Sequence, residues 1–159
     1  MKAVIKIKRL NRELPLPKAV ENGDWIDLRC SRKTEVGVTP ITIIPLGIAA
    51  RLPRGYEAIV APRSSTPKNF GICCSNSIGV IDNSYNGNED EWQFSATTIG
   101  CSKTIINTGD RICQFRIQLS QHATMWQRIK WLFTSGVEIV EVGELQATNR
   151  GGFGTSGKK

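Results

Sequence analysis

Asp82 ends an apolar run, Ile78-Gly79-Val80-Ile81, and Tyr85 follows it by three residues in the stretch 76–87, NSIGVIDNSYNG. If the run is a buried strand, the carboxylate at its end lies near the core and can still face a cavity. There it can take a proton from water, provided desolvation does not neutralise it. Asn83-Ser84 and Asn86-Gly87 are turn residues, so a β-hairpin is expected, with Tyr85 over one side and a backbone edge open to a planar base. The plainer alternative is a hairpin with an Asx-type turn at Asp82.

Four other segments offer chemistry that suits an anion. In the tail, Arg150-Gly151-Gly152-Phe153-Gly154-Thr155-Ser156-Gly157, the glycines let backbone N–H groups turn together toward phosphate, as in phosphate-cradling loops. Thr155 and Ser156 add hydroxyls, Arg150 adds a guanidinium fork, and the Phe153 ring could stack on a base. The alternative is a flexible end. Pro62-Arg63-Ser64-Ser65 places a guanidinium beside two hydroxyl donors, or else opens a type I turn with Arg63 in solvent. Gln114, on a strand entered by the turn Gly109-Asp110-Arg111, could give an amide hydrogen to a ligand or simply face outward. Asp27, between Ile26 and Leu28, has the same two readings.

The elements that must carry these residues are short strands. The chain has 159 residues, enough for one domain whose core needs no metal or disulfide staple. Lys6 and Lys8 alternate with Ile5 and Ile7, and strand-like runs recur at 25–28, 39–44, 56–61, 79–81, 92–98, 111–118 and 137–142. Pro and Gly punctuate them, the pattern of an all-β sandwich or barrel. Residues 123–133, ATMWQRIKWLF, have helical spacing instead. On a helical wheel Met125, Trp126, Ile129, Leu132 and Phe133 share one face, which is expected to dock on the barrel. Trp131 is expected to project from the opposite face, toward a contact beyond the barrel.

The formal charge of +7, from 21 Lys and Arg against 14 Asp and Glu, favours anionic partners without choosing among them. A nucleic-acid module is disfavoured, because no aromatics cluster on a basic face. The five cysteines have no CxxC spacing and their odd number argues against a disulfide framework, so they read as small apolar residues of a reducing compartment. His122 is the single histidine, which leaves a Cys/His zinc site poorly supported. The N-terminus MKAVIKIKRL lacks a secretion signal's apolar core, and no run reaches membrane-spanning length. A cytoplasmic protein with no membrane partner is expected.

Taken in order, DWIDL, PRSS, NSIGVIDNSYNG, GDRICQF and RGGFGTSG resemble the five motifs of the trimeric dUTP pyrophosphatase (dUTPase) family, over residues 24–157. The resemblance implies an all-β, jelly-roll-like barrel (residues 1–149) with a short helix in an insertion at 119–136. It also implies a C-terminal arm, 150–159, that closes an active site formed between the subunits of a homotrimer. The implied activity is Mg²⁺-dependent hydrolysis of dUTP to dUMP and pyrophosphate, which keeps dUTP low and supplies dUMP for thymidylate synthesis. Asp82 matches the general base, and Tyr85 the residue that leaves no room for a 2′-OH. The backbone from Asn76 through Gly79 to Ile81 matches the uracil reader. Arg63, Ser64, Ser65 and Gln114 match phosphate-contacting positions. Arg150, Phe153, Gly154, Thr155 and Ser156 match the tail over phosphates and base. Asp27 matches an aspartate that helps hold hydrated Mg²⁺ through water. Mg²⁺ bound mainly through phosphates and waters needs few protein carboxylates.

The chain departs from the family pattern at Ser84, a position often acidic, in the two-glycine link between Arg150 and Phe153, and in the Thr155-Ser156 order. The insertion resembles extra segments of phage members. Two other readings stand beside this one. The related dCTP deaminases share the barrel but need a glutamate after the hairpin, for which Glu89 and Glu91 qualify by position alone. A regulatory protein of the same fold would act mainly through a partner bound at 119–136.

Overall fold

The computed structural model describes residues 1–19, 23–38, 41–100 and 102–152. Eleven strands and two helices are assigned among them: β1 Ala3–Arg9, β2 Ile26–Arg29, β3 Thr34–Val36, β4 Thr42–Arg51, β5 Tyr56–Pro62, α1 Thr66–Phe70, β6 Ile72–Cys74, β7 Gly79–Ile81, β8 Glu91–Thr98, β9 Thr104–Ile106, β10 Arg111–Leu119, α2 Met125–Leu132 and β11 Val137–Glu141. They form one sheet in the order β11-β1-β4-β8-β6, a second in the order β2-β10-β5-β7, and a two-stranded β3-β9 pair. The architecture is the expected all-β jelly roll, built of facing sheets that do not close into one continuous barrel.

Alternation makes the core. In β1 the side chains of Ala3, Ile5 and Ile7 point in while Val4 and Lys6 point out. β4 and β8 add Ile44, Trp92 and Phe94, and the opposite sheet answers with Leu28, Val60, Phe115 and Ile117, all buried. Trp92 and Phe115 meet edge to face, ring centroids 5.1 Å apart, one of the links between the sheets.

The stretch 76–87 is not a hairpin. β7 pairs antiparallel with β5, Val60 opposite Gly79 and Ala58 opposite Ile81, whereas β6 and β8 belong to the other sheet. Ser77, in the left-handed region at φ 65°, redirects the chain between the sheets. β7 is thereby the edge strand of its sheet. The Asx turn is present: the Ser84 backbone N–H donates to Asp82 Oδ1 at 2.8 Å.

The insertion lies between β10 and β11, and its helix occupies the expected place. Its facing is the reverse of the expectation. Met125, Trp126, Leu132 and Phe133 are exposed, Trp126 by 80%, and Ile129 is partly so. Trp131 packs against Tyr56, ring centroids 5.4 Å apart, at the edge of the core. The helix ends decide the rotation. Ser120 N–H donates to Gly55 O, Thr124 and Gln127 form a capping box, and Ser135 N–H donates to Met1 O. Gln127 lies directly on Gly55, where a Cβ would come within 2.5 Å of its Oε1. This seat accepts the Thr124–Gln127–Trp131 face, so the apolar stripe turns outward. α1 is a second, unanticipated helix, with Pro67 in its first turn. Among the described cysteines all four are free; Cys30 and Cys113 are buried, and Cys73 and Cys74 half-buried.

Replacing Trp131 by Ala is expected to lower the unfolding free energy by about 2 kcal/mol, because it removes a packed aromatic contact. Replacing the exposed Trp126 should change it by less than about 0.5 kcal/mol. Urea titrations of the two variants check the assignment; equal costs would contradict it.

Candidate functional site

A cavity opens beside the free edge of β7, and Asn76, Gly79, Ile81, Asp82, Tyr85 and Arg150 are in its wall. These six come from the third and fifth sequence segments, brought together by the β5–β7 pairing and by the return of the chain after β11. Tyr85 is half-buried and fixed: its Oη donates to Glu91 O at 2.8 Å and its backbone N–H to Asp82 O at 3.1 Å. Burial first, then the Asp90 and Glu91 carboxylates, raises its phenol above the usual range, so the ring stays neutral.

Asp82 is half-exposed and carries three donors. Ser84 gives its backbone N–H and its hydroxyl to Oδ1, and the Arg150 guanidinium meets Oδ2. Burial pushes its carboxyl upward, but the Ser84 hydroxyl, Arg150 and the Ser84 N–H together hold it below the ordinary 3.8. A carboxylate at position 84 could not donate that hydroxyl hydrogen bond.

The remaining predicted residues form a second group. Asp27 bridges two guanidiniums, Arg63 Nε at 2.8 Å and Arg111 Nη1 at 3.1 Å. Gln114, opposite Asp27 in the β2–β10 pairing, donates to Pro62 O at 3.4 Å. Ser64 is exposed at the turn after β5, and Ser65 starts α1 without a side-chain capping bond. Thr66, fully buried, accepts from Arg63 N–H at 3.1 Å and donates to Ile112 O at 2.7 Å, which ties this turn to β10. Asp82 and Arg63 do not meet in one chain. Asp82 follows the residue opposite Ala58, so it lies near the level of Glu57, six residues from Arg63. At roughly 3.3 Å per residue the separation is about 20 Å. Phe153, Gly154, Thr155 and Ser156 lie outside the described residues.

Sequence reasoning missed Arg111 as the second partner of Asp27, and missed Asp90. The Asp90 side chain, 1% exposed, accepts backbone N–H groups from Gly87, Arg150 and Gly151. Burial drives its carboxyl up, and the N–H groups of Arg150, Gly87, Gly151 and Asn86 outweigh this and bring it below 3.8. Its neighbours, both weighed as deaminase glutamates, are engaged elsewhere: Glu89 with Asn149, and Glu91 with Gly47 N–H at 2.9 Å.

Among the described residues no group of three or more His, Cys, Asp or Glu side chains could hold a metal ion. Asp27 keeps lone pairs beyond the two that face Arg63 and Arg111, but those guanidiniums make its surroundings net positive. These residues fit an ion that arrives with a triphosphate, and do not fit one resident in the free protein.

The sheets and the order of these segments define a jelly-roll nucleotide hydrolase. The chain belongs to the dUTPase family, whose profile matches residues 16–157. It is similar, at 44% identity over 155 residues, to the SPbeta prophage-derived deoxyuridine 5′-triphosphate nucleotidohydrolase of Bacillus subtilis, with 98% of this chain and 99% of that protein covered. Among solved structures it is similar to the dUTPase of Streptococcus mutans (26% identity, TM-score 0.63, 69% of this chain and 88% of that one). A phage phi11 dUTPase of S. aureus, described as coordinating a structural Mg(II) ion, shares the fold at 14% identity (TM-score 0.65, 76% and 94% covered). The family's reaction, dUTP to dUMP, is this chain's activity class, and its relationship is to the phage-like branch.

Asp82 and Asp90 both have lowered folded-state values, so the stability each contributes is complete above the ordinary 3.8 and is lost as pH falls through the lowered value. In the free enzyme kcat/KM for dUTP should therefore show no acid limb from Asp82 above about pH 5. A pH–rate profile compared with that of an Asp82→Glu variant tests this; an Asp82-dependent limb near about pH 6 would contradict it.

Proposed function

We propose that the chain cleaves dUTP between the α- and β-phosphates with Asp82 as general base, and that Arg150 controls when Asp82 becomes one. The Arg150–Asp82 contact at the mouth of the cavity carries this reading. A guanidinium binds phosphate oxygens by the same fork that binds a carboxylate. When the triphosphate enters, Arg150 moves onto it and Asp82 loses its counter-charge. Its pKa rises, and it becomes a better base as the substrate presents a water. Asp82 then takes a proton from that water, whose oxygen bonds to the α-phosphorus while the bridging oxygen leaves with pyrophosphate.

The free edge of β7, from Gly79 to Ile81, offers backbone N–H and C=O groups to uracil. Tyr85, held by Glu91 O, cannot swing away to admit a ribose 2′-OH. Arg63, Ser64, Ser65 and Gln114 supply phosphate contacts from the second group. Because about 20 Å of β5 separates that group from Asp82, the contacts come from a neighbouring copy, which supports a homotrimer with sites between subunits. The start of the arm 150–159 reaches the cavity wall at Arg150, Gly151 and Gly152, and the arm beyond lies outside the described residues. Mg²⁺ would supply neutralisation of phosphate charge, and Asp27 would help hold it through water.

Asp82→Asn is expected to retain nucleotide binding and lose about 10²- to 10⁴-fold in kcat. UTP should be turned over far more slowly than dUTP, because a hydroxyl must fit where Tyr85 leaves no space. Pyrophosphate release measured for both substrates checks each point. Comparable rates on UTP and dUTP would sink the assignment.

A second function, partner binding through the insertion, is favoured by the exposed stripe of α2. Residues 118–137 contain Arg128 and Lys130 and no Asp or Glu, so the stripe suits an apolar groove rimmed by acidic residues on another protein. Like basic charges oppose pairing with a second copy. Trp126→Ala with Leu132→Ala should leave dUTP hydrolysis and the mass from light scattering unchanged. Dissociation of the assembly would assign the stripe to contacts between copies instead.

A further inference from the structure

Asp90 takes no part in the reaction set out above, yet it is a buried carboxylate surrounded by backbone donors. Oδ2 accepts from Gly87 N–H at 2.8 Å, and Oδ1 from Arg150 and Gly151 N–H at 2.9 Å each. The residues beside it reach the same returning segment. Asn149 Nδ2 donates to Glu89 Oε2 at 2.9 Å, and Glu89 N–H donates to Asn149 Oδ1 at 3.0 Å. Leu145 N–H donates to Asn88 Oδ1 at 2.9 Å. Gly87 completes the fit, since a Cβ there would come within 2.5 Å of Asn149 Cα. The turn 87–90, between β7 and β8, is therefore a latch for residues 145–151.

We propose that Asp90 is a positioning residue: it seats the root of the C-terminal arm so that the Arg150 side chain can reach only Asp82 and the phosphates beside it. The proposal rests on the reading of Arg150 and Asp82 given above. Arg150 is held at two points, its backbone N–H on Asp90 and its guanidinium on Asp82. The backbone bond is independent of substrate. When the guanidinium transfers to phosphate its pivot stays fixed, and the side chain sweeps a short arc rather than the volume open to a loose tail. Tyr85 is tied to the same turn through Glu91 O, so ring, base and arginine share one frame. Only an ionised carboxylate suits the seat. An amide has one acceptor oxygen, and its NH₂ would face N–H donors.

A double-mutant cycle on dUTP hydrolysis with Mg²⁺ tests the proposal, using Asp90→Asn, Arg150→Ala and both together. Asp90→Asn alone should lower kcat about tenfold, with a smaller change in KM. In the Arg150→Ala background the same substitution should cost less than about twofold, because its effect passes through Arg150. Amide exchange at residues 150 and 151 should quicken in Asp90→Asn while thermal unfolding stays cooperative. An equal cost in both backgrounds would make Asp90 a folding residue only and overturn the proposal. Full activity in Arg150→Ala would instead overturn the reading of Arg150, and the exchange data would still report whether Asp90 seats the arm. If Asp90→Asn does not fold, Asn149→Ala enters the same cycle, with a loss of about threefold expected.

Discussion

The length of β5 is the constraint on which the site depends. This strand pairs with β7 over Ala58 to Val60, and its first residues lie near the level of Asp82. The other end turns at Pro62 into Arg63 and α1. The buried Thr66 hydroxyl, bonded to Ile112 O, and the continuous pairing with β10 hold that distance rigid. Asp82 thus lies about 20 Å along β5 from the turn that carries Arg63 and Ser64. On the reading proposed above, the phosphate contacts beside Asp82 come from another copy of the chain.

The two aspartates of the β7–β8 connection show how partner type sets role. Both are held ionised against the effect of burial. Asp82 relies partly on a side chain, Arg150, which rotates about its own bonds. Asp90 relies on backbone N–H groups, which move only if the chain itself moves. In the roles proposed for them, the base has a counter-charge that can be withdrawn and the anchor has partners that cannot be. The thiols lie at the other extreme: burial raises Cys30, Cys74 and Cys113 above the usual range, which keeps them as protonated thiols.

What the sequence discloses follows the range of the interactions involved. Strands with period-2 alternation, such as β1, β5, β8 and β10, are legible because each buries its own stripe. β3, β6 and β9 have three residues each, too few for a period, and they exist only through partners remote in the chain. The placement of Asp82 at a strand end beside a cavity is legible from the run that precedes it. Its hairpin was not, because Ser77 sends β7 to the other sheet. The helix in the insertion is legible from its spacing, but which face docks is decided by Gly55 and Met1, about which that spacing says nothing. Asp90 is illegible for the same reason: its partners at 150 and 151 lie 60 and 61 residues away in sequence. In the segment NEDEW it is one acid among three.

The strand that leads into the arm has a mechanical property of its own. β11 runs parallel to β1, Ala3 beside Val137 through Ile7 beside Glu141, with Arg9 clamped to Glu141 at its far end. β1 in turn is locked into the sheet by β4. Tension transmitted back from the arm loads the β1–β11 ladder lengthwise, so its hydrogen bonds share the load in shear and do not open one after another like a zipper. Residues 145–151, which carry Arg150, are spliced to a strand that resists being peeled away.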